Sequence, residues 1–78
     1  MAGEAALAHV HALASQGHRV LDVDGFRVVP EGYMASLDLI LDLSLAPMPI
    51  EEAVSRANAF IADHAAEDVL FEVVSGGS

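Results

Sequence analysis

The sequence predicts a small α+β domain in which a mainly antiparallel sheet of three to four strands carries two helices on one face. Three observations predict this fold. Leucine occupies every odd position from residue 37 to residue 43, and a period of two places these side chains on one side of a β-strand. Two segments, 4–16 and 49–65, carry apolar residues at helical spacing. Short β-branched runs, bounded by Gly, Pro or Asp, supply the remaining strands.

The two helices are expected over residues 4–16 and 49–65. The first segment contains no Gly or Pro, and Gly17 follows it, where a residue with positive φ ends many helices. Pro49 suits the first turn of the second helix, and the glutamates that follow it lie near the positive end of the helix dipole. Both helices should cover the leucine side of the sheet.

The strands are expected over residues 19–23, 26–29, 33–44 and 69–74. Asp24-Gly25 separates two β-branched runs and is typical of the two-residue loop of a type I′ hairpin. In that hairpin Asp22 lies across from Arg27, and Val20 lies across from Val29 on the outer face.

A second turn is expected at Pro30-Glu31-Gly32, as a three-residue hairpin loop with glycine in the left-handed conformation. The element order is therefore α-β-β-β-α-β, in one domain that spans residues 1–78. The last strand should run parallel to the leucine strand, either beside it or at the other edge of the sheet. Residues 75–78 are expected to form a flexible tail.

The hydrophobic content points to a second chain. Hydrophobic residues make up 54% of the 78-residue sequence, and the mean hydropathy is +0.46. Soluble domains average ~45–50%. A domain of this size buries only roughly 60–65% of the surface that its unfolded chain exposes. The surplus apolar surface predicts contact with a partner protein, with a second copy of the chain, or with both.

The charge balance narrows the choice of partner. Three Lys and Arg residues against twelve Asp and Glu residues give a formal net charge of −9. This balance excludes nucleic acid as a direct ligand and disfavours anionic membranes, because both require Lys and Arg. A basic partner protein is compatible with it, although the same charge also keeps a chain soluble. With no cysteine and no apolar run of transmembrane length, a soluble cytoplasmic protein is expected.

Candidate partner-binding residues lie on the outer face of the leucine strand. Ile40 stands there between Asp38 and Asp42, with Asp22 on the same face of the sheet and Tyr33 nearby. An aliphatic side chain rimmed by carboxylates is typical of the centre of an interface. The alternative is an ordinary exposed sheet face whose β-branched residues serve strand propensity.

No spacing in the sequence predicts catalysis, a metal site or a cofactor. His9 and His11 are two apart on a helix and point in opposite directions, so they cannot share one ion. Asp38 and Asp42 stand about 13 Å apart along a strand, too far to act as an acid–base pair.

The sequence therefore favours a non-enzymatic protein–protein interaction module, of the physical type of small acidic inhibitors, antitoxins or immunity proteins. The alternative is a self-assembling homo-oligomer or a structural subunit of a larger complex, such as a phage particle. A small-ligand or metal-binding domain is the third reading.

Overall fold

The computed structural model describes residues 1–45 and 47–76, and there the chain forms a three-stranded antiparallel sheet with two helices packed against it. The elements in chain order are α1 Gly3–Ser15, β1 Arg19–Val29, β2 Gly32–Asp42, α2 Ile50–His64 and β3 Val69–Gly76. The strand order is β2-β1-β3. This confirms the α+β class, the antiparallel sheet and the two helices on one face.

Helix α1 ends as its sequence predicts. Val10 and Leu13 are buried against the rest of the fold. Gly17 has a φ of 76°. Its N–H group donates to the carbonyl of Ala14 at 3.0 Å, and the N–H group of His18 donates to the carbonyl of Leu13 at 3.0 Å. These two bonds form a Schellman motif, which satisfies carbonyl groups that the helix end leaves free.

Helix α2 packs through small side chains. Ala53, Ala57 and Ile61 are buried along one stripe, and the two alanines allow the helix to approach α1 and the sheet closely. Phe71 of β3 lies beneath the helices and is 1% exposed. Its ring meets the ring of Phe60 edge to face, with centroids 6.5 Å apart.

The hairpin predicted at Asp24-Gly25 is wrong, because β1 continues without a break from Arg19 to Val29. Gly25 is buried and does not have a positive φ. A Cβ atom at this position would lie 2.9 Å from the Cβ of Leu39 in β2. The glycine therefore serves the close approach of a neighbouring side chain, and the element order is α-β-β-α-β.

The continuous strand also changes the cross-strand partners. Asp22 lies opposite Asp42 of β2 and Val74 of β3, and not opposite Arg27. Val20 is 3% exposed, so it belongs to the core beneath the helices and not to the outer face.

Strand β2 contains a large bulge, formed by residues 36–39. The neighbours of Gly25 on either side pair with Ala35 and with Ile40 of β2. Four residues of β2 therefore stand opposite Gly25 alone. Since the three extra residues are an odd number, the alternation of faces is reversed across the bulge.

The reversal divides the leucine row. Leu43 is buried in the core under the helices, and Leu41 is half-buried against that core. Leu39 is buried beside Gly25, whereas Leu37 is 90% exposed. The prediction that all four leucines share the covered face is therefore wrong at Leu37, because the irregular backbone of the bulge turns this side chain toward solvent.

The remaining strand predictions are largely confirmed. Val29 pairs with Gly32, so the turn between β1 and β2 has two residues in its loop, one fewer than predicted. Gly32 has a φ of 136°. Strand β3 is antiparallel to β1 and therefore parallel to β2, and it occupies the other edge of the sheet.

The predicted tail begins later than expected, since Ser75 and Gly76 belong to β3. Residues 77 and 78 lie outside the described residues, as does Ala46 in the predicted connector before α2.

Candidate functional site

The sheet face turned away from both helices is the candidate site, and we call it the open face. Residues directly opposite each other in a sheet point to the same side. Val23 of β1 is buried under the helices, so Asp22 and Asp24 beside it point to the other side together with their partners in β2 and β3. The open face comprises Asp22, Asp24, Phe26 and Val28 of β1, Tyr33, Ala35, Ile40 and Asp42 of β2, and Leu70, Glu72 and Val74 of β3.

One end of the open face is acidic. Asp22 lies opposite Asp42, and Asp24 lies opposite Glu72. Partial burial raises the pKa of Asp22 above its usual value, and the neighbouring carboxylates of Asp24 and Asp42 raise it further. One carboxylate oxygen of Asp22 is buried and has no hydrogen-bond partner among the described residues. These carboxylates therefore repel one another, and a cation brought close to them would relieve the repulsion.

Asp42 is held in its charged form. The hydroxyl group of Ser44 donates to its Oδ1 at 2.6 Å, and the N–H group of Ser44 donates to the same oxygen at 2.9 Å. The two bonds hold the pKa of Asp42 below its usual value. Asp42 therefore keeps its negative charge at neutral pH.

The other end of the open face is apolar. Phe26 lies in the middle strand between Ala35 and Leu70, and Val28 lies opposite Tyr33. Tyr33 is 72% exposed. A shallow groove of about 420 Å³ opens at this end. The residues that line it include Met1, Phe26, Tyr33, Leu70 and Glu72.

Each of the three arginines of the chain is bound away from the open face. Arg19 donates to the carbonyl of Met48 at 2.5 Å, Arg27 lies 3.3 Å from Asp38, and Arg56 lies 3.9 Å from Glu52. Since the sequence contains no lysine, every charged side chain on the open face is negative.

Four of the five predicted partner-binding residues meet on the open face. Asp22, Tyr33, Ile40 and Asp42 all point to this side of the sheet. Tyr33 and Ile40 do so although they are an odd number of residues apart, because the bulge lies between them.

Asp38 does not share the open face with these residues. It belongs to the bulge, where Ser36 donates to it and Arg27 forms an ion pair with it on the helix side of the sheet. The hydrogen bond from Ser36 is the main cause that lowers the pKa of Asp38, and the charge of Arg27 adds to it. The assignment of Asp38 to the same face as Ile40 is therefore a wrong prediction about its position.

The sequence reasoning missed most of the other side chains of the open face. The missed residues are Asp24, Phe26, Val28, Ala35, Leu70, Glu72 and Val74. The sequence places Asp24 in a turn. It predicts no neighbours for the residues of β3, because it does not decide which edge of the sheet β3 occupies. The one signal in β3 was Glu72, a single acidic residue within the apolar run VLFEVV, which indicates that Leu70, Glu72 and Val74 share an uncovered face.

Two of the histidines contact groups within the helices. Nδ1 of His64 lies 2.9 Å from the carbonyl oxygen of Phe60 in the preceding turn, and Nε2 of His11 lies 3.4 Å from Nδ2 of Asn58. Within residues 1–45 and 47–76, no three His, Asp or Glu side chains lie close enough together to hold a metal ion.

Comparison with protein families, with curated proteins and with solved structures finds no match to this chain. Over the described part of the chain, neither helix has the length and apolar character needed to cross a membrane. The fold and the open face thus define the chain as a small α+β domain with one covered and one uncovered sheet face, and its function is argued from that face.

Proposed function

We propose that this chain is a non-enzymatic protein-binding module that docks its open face onto a basic partner protein. One observation carries the proposal. The open face joins an exposed apolar end to a cluster of carboxylates, while the arginines are all bound elsewhere. A contiguous apolar patch beside charges of one sign is the arrangement of a protein–protein interface.

The two ends of the open face have different tasks in this proposal. Removing apolar surface from water contributes about 25 cal/mol per Å², so the end around Phe26 and Tyr33 supplies affinity. The groove beside Tyr33 accepts one apolar side chain of the partner as an anchor. The carboxylates around Asp22 attract the partner from a distance and fix its orientation.

The chemistry of the partner follows from this division. It presents an apolar ridge with Lys or Arg at one end, and that cation comes to lie against Asp22 and Asp42. Small acidic inhibitors, antitoxins and immunity proteins bind in this manner. The absence of cysteine from the sequence fits a reducing compartment, so the proposed partner is a cytoplasmic protein.

Affinity capture with matched variants tests the proposal. The wild-type chain, the double variant Ile40→Ser/Val74→Ser and the control Leu45→Ser are used to capture proteins from a lysate of the source cells. Ile40 and Val74 are exposed on the open face, whereas Leu45 is 84% exposed outside the strands. We expect a basic protein that the wild type and the control retain and the double variant loses.

The captured protein is then purified and its association rate is measured at increasing salt. Electrostatic steering requires the rate to fall as salt screens the carboxylates. A rate that ignores ionic strength would remove the carboxylates from the proposal. Equal capture by all three chains would show that the open face does not bind the partner.

A further inference from the structure

The two edges of the sheet differ in how their main-chain groups are satisfied. At the β3 edge, the N–H group of Phe71 donates to the carbonyl of Met1 at 2.7 Å, and the N-terminal ammonium group of Met1 donates back to the carbonyl of Phe71 at 2.8 Å. The N–H group of Val69 donates to the carbonyl of Ala66 at 3.1 Å. The first half of this edge is therefore closed by the chain itself.

The edge formed by β2 is open. Val28 of β1 donates its N–H group to the carbonyl of Asp68 at 2.6 Å, on the β3 side of the strand. Val28 and Tyr33 are therefore a non-hydrogen-bonded pair, so the N–H and C=O groups of Tyr33 point away from β1. The same groups of Ala35, two residues later, point the same way. Among the described residues no main-chain or side-chain group bonds to them.

This edge also lacks the usual protection of a free strand. Edge strands are commonly blunted by charged side chains or by proline. The segment Gly32–Leu37 contains neither, and it exposes three large apolar side chains, those of Tyr33, Met34 and Leu37. The bulge interrupts the edge only after Ala35.

We propose that two copies of this chain pair antiparallel along this segment, with a two-fold axis at Met34. In this register Tyr33 of each copy exchanges both main-chain hydrogen bonds with Ala35 of the second copy. The two Met34 side chains meet directly across the axis, and Ser36 lies opposite Gly32 of the second copy. No like charges oppose each other in the paired segment, and the sheet continues across both copies.

The acidic end of the open face does not oppose this pairing. Met34 pairs with Arg27 of β1, so Asp24, the nearest carboxylate of β1 in the acidic end, lies three residues, or ~10 Å, along β1 from the axis. A two-fold axis sends the two acidic ends in opposite directions, so the two Asp24 residues lie ~20 Å or more apart along the strands. This distance exceeds two Debye lengths at physiological salt, where one is ~8 Å.

The proposed pairing is isologous, because both copies use the same segment of β2 and that segment is occupied once the two copies have paired. The outer edges of the joined sheet are then both β3 edges, where the N–H groups of Val69 and Phe71 are already bonded within the chain. The pairing uses main-chain groups at the sheet edge, and so it is independent of the docking proposed for the open face.

A single cysteine tests the register, because the chain contains no native cysteine. Directly opposed residues of a non-hydrogen-bonded pair have Cβ atoms about 4.5–5.5 Å apart, close enough for a disulfide after a small adjustment. Met34→Cys is therefore expected to form a disulfide-linked dimer as its main species in aerated buffer. The control Val74→Cys, exposed on β3, is expected to stay largely monomeric. Equal crosslinking of both variants would overturn the register.

Light scattering after size exclusion tests the pairing itself. We expect the wild type and Ala35→Ser to elute as dimers and Ala35→Pro to elute as a monomer. Proline removes only the N–H group that points away from β1, so far-UV circular dichroism should not change. If Ala35→Pro does not fold, Met34→Lys tests dimerisation through the same edge. It places two like charges across the axis and should weaken dimerisation at least about tenfold.

A wild-type chain that is monomeric at about 100 μM, where weak interfaces are still populated, would overturn the proposal. The open-face variant Ile40→Ser/Val74→Ser should remain dimeric, since neither residue belongs to the paired segment. Loss of partner capture and loss of dimerisation are thus separate results.

Discussion

Two glycines of this chain answer different physical needs. Gly17 has a φ of 76°, and no atom lies within 4 Å of the position that its Cβ would take. Gly25 has ordinary strand geometry, but its Cβ would lie 2.9 Å from the Cβ of Leu39 and 3.2 Å from the carbonyl oxygen of Leu39. Gly17 is therefore needed for its backbone conformation, and Gly25 is needed for its small size.

Substitutions at these two glycines should separate the two needs. Ala at Gly17 should lower the free energy of unfolding by about 1–2 kcal/mol, and Asn should lower it less because Asn tolerates the left-handed region. At Gly25, Ala should lower it by about 1–3 kcal/mol through overpacking. Asn should lower it further, because it is larger. Urea denaturation measures all four variants, and a milder effect of Asn than of Ala at Gly25 would contradict the steric explanation.

Asp22 gives the acidic end a pH dependence of its own. Its folded pKa lies above the ordinary value of 3.8, so the folded chain binds this proton more readily than the unfolded chain does. The free energy of unfolding therefore falls as pH rises from 3.8 through the raised pKa. Asp42 acts in the opposite direction, but its contribution is lost only as pH falls below 3.8. The two windows do not overlap.

Asp22→Asn should therefore stabilise the fold at neutral pH, by an amount on the order of 0.5 kcal/mol for an exposed charge interaction. The gain should disappear as pH falls toward 3.8. The control Glu31→Gln removes the same charge from the hairpin loop at the other end of β1. At neutral pH this control should change the free energy of unfolding less than Asp22→Asn does, because Glu31 is exposed in the loop. A gain in the free energy of unfolding that does not depend on pH would rule out the ionisation of Asp22 as its cause.

At the scale of elements, the bulge decides which side chains reach the core. It buries Leu39 beside Gly25 and turns Leu37 outward, although an unbroken strand would place both on one face. Because the bulge stands opposite Gly25, the two features depend on each other. A glycine in β1 leaves the space that a buried leucine of β2 fills.

The two leucines should therefore differ sharply in their effect on stability. Leu39→Ala should lower the free energy of unfolding by about 2–5 kcal/mol, as expected for a side chain that is 1% exposed. Leu37→Ala should change it by no more than about 0.5 kcal/mol. Urea denaturation at low protein concentration measures both variants. A large loss at Leu37 would mean that the row is continuous and that the bulge does not form.

The parts of the fold that the sequence predicts are those fixed by local interactions. The helices follow from apolar spacing and from the glycine that ends α1, and β2 follows from its alternation. The bulge depends on contact between Gly25 and Leu39, which are far apart in the sequence, so no local pattern indicates it. The same reason explains the error at Asp38, since the bulge carries that residue away from the face of Ile40.

The candidate site was predictable to the same extent. Residues on β1 and β2 near Ile40 could be placed on one face by alternation. The residues of β3 could not be placed in this way, because a strand reached through a helix can join either edge of the sheet. Leu70 and Glu72 therefore entered the site only with the observed strand order.

At the scale of the whole molecule, the negative charge is high, and only three arginines are present to compensate it. A formal charge of −9 on a chain of 78 residues produces self-repulsion in the compact state. The ion pairs of Arg27 with Asp38 and of Arg56 with Glu52 are exposed, so each offsets little of it. The open face concentrates part of the remaining charge around Asp22 and Asp42, and all three arginines are bound elsewhere.

Screening should therefore stabilise this fold, in contrast to a protein held together by ion pairs. Raising NaCl from about 0.01 M to about 1 M shortens the Debye length from ~30 Å to ~3 Å and should raise the melting temperature. The increase should be smaller in Asp24→Asn/Asp42→Asn, which lacks part of the repulsion, than in the control Glu51→Gln/Glu67→Gln, which has the same net charge. Thermal unfolding followed by circular dichroism measures all three chains. An equal increase in both double variants would show that the repulsion is spread over the molecule and is not concentrated on the open face. A melting temperature that falls with salt would show that the exposed ion pairs outweigh the repulsion.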